Sequence, residues 1–186
     1  MGIPTLITTT TSSNQATTSF TSGITSAYDE YMFVITRLIE NAGAGGTSSF
    51  AFGFNGSTDS GSNYNVTKTS TVFRAVHEED DGGESIDYQT SSDIAQGTGF
   101  QRLIITGSQD DGVAHAGILH LFSPANTTFV KHFYARFSCH GVPGSDRRYE
   151  DIFVAGYFNT TSAIDAIQFK LEANNHNGIF QMYGIS

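Results

Sequence analysis

Apolar residues in this chain fall mostly at every second position. In "AIDAIQFKLEANNHNGIFQMYGIS", Ile167, Phe169 and Leu171 alternate with Ala166, Gln168 and Lys170, the period of a half-buried strand. The Asn-Asn-His-Asn-Gly that follows is turn chemistry, because Asn and Gly tolerate positive φ. The pattern therefore predicts a closing hairpin with "GIFQMYGI" as its second strand. "SSFAFGFNG" sets Phe50, Phe52 and Phe54 against Ala51 and Gly53. "YDEYMFVITRLIEN" is apolar on both sides, Tyr31, Phe33 and Ile35 on one and Met32, Val34 and Leu38 on the other, which predicts a central strand covered on both faces. "ATTSF", "TVFRAVHEE", "FQRLIITGS", "AGILHLFSP", "TFVKHFYARFSCHG" and "EDIFVAGYF" add further strands, "STDSGSNYNVTKTS" reads as a long loop, and "TTSAIDA" has room for one helical turn. About nine or ten short strands separated by turn signals predict an all-β, single-domain antiparallel β-sandwich over residues 16–186, jelly-roll-like in its expected connections. Residues 1–15, rich in Thr and Ser, predict an extended N-terminal arm whose only apolar anchors are Ile3, Leu6 and Ile7.

Composition narrows the function. The 186 residues suit one domain of ordinary size, and abundant Ser, Thr and Gly with 15 Phe and 8 Tyr favour strands joined by polar turns. A formal net charge of −9 argues against a sequence-independent nucleic-acid binder and against docking on an anionic membrane. Cys139 is the single cysteine, so an intrachain disulfide framework is excluded and a small buried thiol is expected. The N-terminus lacks the charged and apolar regions of a secretory signal, and no run reaches the roughly 18 apolar residues of a membrane-spanning helix.

Candidate chemistry is sparse. "GAGG" at Gly43–Gly46 lacks the Lys-Ser/Thr of a phosphate loop and reads as a flexible turn. Six His are scattered along the chain. On one predicted strand His132, Tyr134, Arg136, Ser138 and His140 share a face opposite Phe133, Ala135, Phe137 and Cys139. That row reads either as a solvated face or as a subunit contact, since Tyr and Arg are enriched at interfaces. It is no metal site, because His132 and His140 lie about 26 Å apart on an extended strand. The acidic run Glu78, Glu79, Asp80, Asp81 and Glu84, and the pair Asp110 and Asp111, offer oxygens to a hard cation but lack the ligand spacing of a calcium loop, and read as solvated turns. Asn-X-Ser/Thr sequons occur at Asn55, Asn65, Asn126 and Asn159. No catalytic residue, cofactor site or metal site is expected.

Several segments carry a resemblance: "TLITTTTSSNQATTSFTSGITSAYDEYMFVI", "YNVTKTSTVFRAVHEED", "SPANTTFVKHF" and "NTTSAIDAIQF…YGI". With these the chain resembles, over nearly its whole length, a family of small virion structural proteins encoded by tailed phages, especially marine ones. It departs from them at "SCHGVPGSDRRYEDIF", where the family has a shorter, plainer loop. The resemblance implies a non-enzymatic particle component on the outer surface of the virion, foremost a capsid decoration or cement subunit. Its implied partners are the major capsid protein or other virion subunits and further copies of itself, a trimer being one arrangement. The contacts expected from this are Ile3, Leu6 and Ile7 of the arm, docked by strand addition or draping, and His132, Tyr134 and Arg136 of a lateral face. The alternative is a head or tail fibre module binding host surface glycans through Tyr64, Arg147 and Tyr149, since aromatic rings stack on sugar faces.

Overall fold

The computed structural model describes residues 2–41, 49–108, 113–141 and 147–186. The glycine run at Gly43–Gly46, the pair Asp110 and Asp111, and part of the divergent loop before Arg147 lie outside them. The described residues form twelve strands and no helix. These are β1 (Thr5–Gln15), β2 (Thr17–Phe20), β3 (Glu30–Glu40), β4 (Ser49–Ser57), β5 (Lys68–Glu78) and β6 (Ser85–Tyr88), followed by β7 (Gln101–Ser108), β8 (His115–Phe122), β9 (Lys131–Gly141), β10 (Arg148–Phe158), β11 (Ala166–Leu171) and β12 (His176–Ile185).

All pairings are antiparallel. One ladder runs β1-β12-β3-β8-β9 and continues through β10 and β5 to β6. A shorter one runs β7-β4-β11-β2 and touches the first at the single pair Gly107 and Gly141. The sheet is nearly closed into a barrel by the chain itself. β1 lies against β12 at one end of the order, and one residue later β2 lies against β11 at the other.

Period-two alternation fills the interior. On β9 Phe133, Ala135 and Phe137 are buried between exposed neighbours and Cys139 is buried after exposed Ser138, and on β12 Phe180 and Met182 are buried between half-exposed residues. Phe52 stacks on Phe169 with centroids 5.9 Å apart, and Phe33, Phe54 and Phe180 pack around that pair. Each Phe so buried contributes about 1.5–3 kcal/mol from area alone. Gly117 on β8 faces Phe137 across the ladder, where a Cβ would come within 2.3 Å of the ring.

The structure revises several expectations. β11 and β12 do not pair with each other, so the closing hairpin is absent: the Asn-rich connection carries the chain from beside β4 to between β1 and β3. β3 is buried on one face only. At Arg37 (φ +56°) a bulge turns Leu38 onto the same interior side as Tyr31, Phe33 and Ile35, leaving Met32 and Val34 half-exposed. Matching irregularities sit beside it at Asn177–Ile179 of β12 and Ser12–Gln15 of β1, and aligned bulges bend a sheet towards closure. "TTSAIDA" forms no helical turn, and β6 is a strand that "SIDY", short and half polar, did not announce. The leader, expected to reach another subunit by strand addition, lies along Thr5–Gln15 against β12 of its own chain.

At the closing seam Ser12 Oγ, Thr18 Oγ1 and His176 Nε2 form a buried hydrogen-bonded chain, with Thr18 2.7 Å from the imidazole. The Nδ1 of His176 is buried without a partner, and burial lowers its pKa to about 4. The unfolded chain protonates this imidazole near the ordinary ~6.5. The stability it contributes is therefore complete above that value and lost as the pH falls towards 4, by at most about 3 kcal/mol. The melting temperature of the protein is expected to drop over this range and His176→Gln to flatten the drop; an unchanged slope in the variant would refute the assignment.

Candidate interaction surface

The exterior of the long ladder is built by the same alternation that fills the core. On β9 the outward residues are His132, Tyr134, Arg136 and Ser138, as the sequence predicts; His140 is instead buried, with Glu79 on its Nε2 and its amide directed at His115 Nδ1. Register then joins this row to its neighbours. Tyr88, Phe73, Phe153, Arg136, Ile118 and Val34 lie opposite one another on β6, β5, β10, β9, β8 and β3. One step along, Tyr134 faces His120 and Met32.

The side chains in these rows interlock. His120 stacks on Tyr134 at 4.5 Å and Phe122 leans on the same ring at 5.6 Å, while His120 also hydrogen-bonds the Glu30 carboxylate. Phe73 and Phe153 stack at 4.8 Å, and the Arg136 guanidinium lies 4.9 Å from the Phe153 centroid. Arg136 forks onto Asp151, Nε to Oδ1 at 2.9 Å and Nη2 to Oδ2 at 2.5 Å, so the middle of the face is electrically neutral. Ser138 donates to the Tyr149 hydroxyl at 3.0 Å. A groove of 680 Å³ runs over β8, floored by Ala116, Ile118 and Val34 and walled by Tyr134, Arg136 and Tyr149.

This is where the exposed apolar surface collects. Of ten large hydrophobic residues left exposed among the described residues, six are on this face: Phe73, Ile86, Tyr88, Ile118, Tyr134 and Tyr149. Ile86 is 80% exposed and Tyr149 56%, on paired strands rather than on a loop tip. Scattered exposed hydrophobics are ordinary, whereas a contiguous patch marks an interaction surface.

Other expected residues are dispersed. Ile3 is exposed ahead of β1 and Leu6 is exposed on β1 opposite Tyr183 of β12, while Ile7 packs against the core. Tyr149 is the second residue of β10, and Arg147 is exposed just before that strand. Tyr64 belongs to the opposite end, where its carbonyl accepts from Asn55; that end holds Phe158, nine residues or about 30 Å along β10 from Tyr149. The three proposed glycan contacts thus do not form one site. Asn55 is buried with its amide donating to three carbonyls, so its sequon is closed to modification.

Buried polar groups elsewhere are structural. Glu150 is fully buried and its Oε1 accepts from Arg74 at 2.8 Å, Arg148 at 2.6 Å and Thr106 at 3.0 Å, which ties β10 and β5 to β7. Lys68 and Lys131, fully buried on either side of Phe158, donate to carbonyl oxygens of Gly99 and of Phe129 and Thr160; burial pushes the Lys68 ammonium down to about 8. The exposed trio His77, Asp81 and Glu84 brings ligand atoms within 4.8 Å of one another on the β5–β6 turn. Cys139 is buried and its thiol pushed far up, chiefly by desolvation.

No family model matches the chain, and neither curated proteins nor solved structures provide a similar one.

The sealed thiol gives a direct check of the interior. In native buffer at pH 8 an aromatic disulfide reagent is expected to leave Cys139 unmodified and to titrate one thiol per chain after denaturation; rapid labelling of the native protein would contradict the burial.

Proposed function

We propose that this chain is a non-enzymatic structural subunit of a phage virion, foremost a capsid decoration or cement protein, that assembles through the outer face of β3, β8, β9, β10 and β5. The observation that carries the assembly reading is the contiguous aromatic patch centred on Tyr134, Phe153 and Phe73. Aromatic, Arg and His side chains around an internally neutralised ion pair suit the core of a protein interface, which disfavours unpaired charge. The particle address rests on the sequence resemblance.

We also read the strand order as a jelly roll. Strands β1, β12, β3 and β8 would form one leaf and β7, β4, β11 and β2 the other, with β5–β6 and β9–β10 as inserted hairpins widening the first. Capsid and lectin domains use that architecture, which supports the reading by analogy.

The test is incorporation into particles. Phe73→Ser with Tyr134→Ser is expected to leave the β-rich circular dichroism spectrum in place and lower the occupancy of the protein on virions at least tenfold. Full occupancy by the folded double variant would overturn the assembly reading.

A second reading draws on Tyr149 and Tyr134 beside Arg136, Asp151 and Ser138 in the groove, where rings and planar polar groups suit a sugar. It predicts that the isolated chain binds host surface polysaccharide and that Tyr149→Ala weakens the binding.

A further inference from the structure

We propose that the groove crossing β1, β12 and β3 at their bulges binds a sugar acid, a polyhydroxylated ring bearing one carboxylate, with Arg37 as the partner of that carboxylate. The site shares no lining residue with the groove over β8 and does not depend on the assembly reading.

The bulges place the site. Register sets Thr11, Ile179 and Thr36 abreast on β1, β12 and β3, and further along it sets Asn177 beside Ile39. Between these rows the β12–β3 ladder slips, and a groove of 460 Å³ lies over the slip. Arg37 stands there, exposed, with φ +56°, and lines the groove. Gly or Asn takes that backbone at less cost than a long side chain. Strain of this kind collects at ligand sites, where a bulge re-aims a side chain.

Charge selects the head of the ligand. Arg37 makes no hydrogen bond, ion pair or ring contact among the described residues. By contrast Arg74, Arg102, Arg136 and Arg148 lie on carboxylates of their own chain, Lys68 and Lys131 donate to carbonyls, and Lys170 stands over the Phe100 ring. A guanidinium left open is a planar fork matched to a carboxylate. It is the one positive group among the described residues of the groove, which suits a monoanion better than a phosphate. The net charge of −9 disfavours a densely charged polymer.

Polarity selects the body. Thr11 and Ser13 are exposed on the rim with hydroxyls that bond nothing among the described residues. Asn177 is fixed through its Oδ1, which accepts from the Asn14 amide at 2.7 Å, and its Nδ2 is left open to donate. These groups match ring hydroxyls, while Ile39 and Ile179 offer aliphatic surface to the C–H face of a sugar. The volume falls within the ~300–1,000 Å³ of small-ligand sites. An aliphatic carboxylate would leave the hydroxyls unused, and a neutral sugar would leave the guanidinium unused.

Titration of the purified full chain, followed by amide NMR shifts, tests the site. The probes are glucuronate, galacturonate and N-acetylneuraminate, with glucose, acetate and sulfate as controls. At least one sugar acid is expected to shift the amides of Thr11, Arg37 and Asn177 saturably, at least about tenfold more tightly than any control. Arg37→Gly, which relieves the positive φ, is expected to keep or raise the melting temperature and to weaken binding by at least about tenfold. Arg37→Gln is expected to weaken it as much, and Tyr149→Ala to leave it unchanged. Failure of all three sugar acids, a control that binds as tightly as they do, or undiminished affinity in the Arg37 variants would overturn the proposal. Loss of binding in Tyr149→Ala would overturn it as well, by moving the sugar to the groove over β8.

Discussion

The ladder between β1 and β12 is the interaction on which the rest of the structure depends. β12 is the last strand and β1 the first, so nothing joins them except backbone hydrogen bonds and the side chains on either side. Without β1, β12 would present an open edge, and the link at Ala16 that takes the chain across to β11 would have nothing to start from. The buried chain of Ser12 Oγ, Thr18 Oγ1 and His176 Nε2 sits where that crossing is made, so these three atoms find one another only when both ends of the barrel meet.

The leader is taken up as a strand of its own barrel, whereas the outer face from β3 to β6 is left uncovered. That face owes its character to the core: the alternation that points Phe133, Phe137 and Val154 inward points Tyr134, Arg136 and Phe153 outward. The fold is stabilised on one side of each strand, and the composition of the other side is free to serve association.

Much of this was legible in the sequence, wherever one strand's own period carried the information. The β9 row of His132, Tyr134, Arg136 and Ser138 follows from alternation alone, as do the buried Phe50, Phe52 and Phe54 and the all-β class. What stayed hidden depends on pairing between distant segments. Phe73, Phe153 and Tyr88 become neighbours only through the registers of β5 with β10 and β6, which no local pattern encodes. The separation of β11 from β12 misled for a related reason, since an Asn-Gly turn between alternating runs serves equally as a crossover. The bulge at Arg37 inverted the predicted side of Leu38 because a single residue in the left-handed region shifts the alternation by one. His140 was lost to the exterior when Glu79, from a turn 61 positions away, covered it.

The most direct measurement of this account is amide hydrogen exchange along residues 5–15 of the native protein. Strand pairing with β12 predicts slow exchange at the ladder-bonded amides of Thr5–Ser12, matching the protection of Ile179–Gly184. Exchange across that segment at the rate of an unstructured peptide, with the rest of the barrel protected, would contradict the closure and return the leader to the role of a free docking arm.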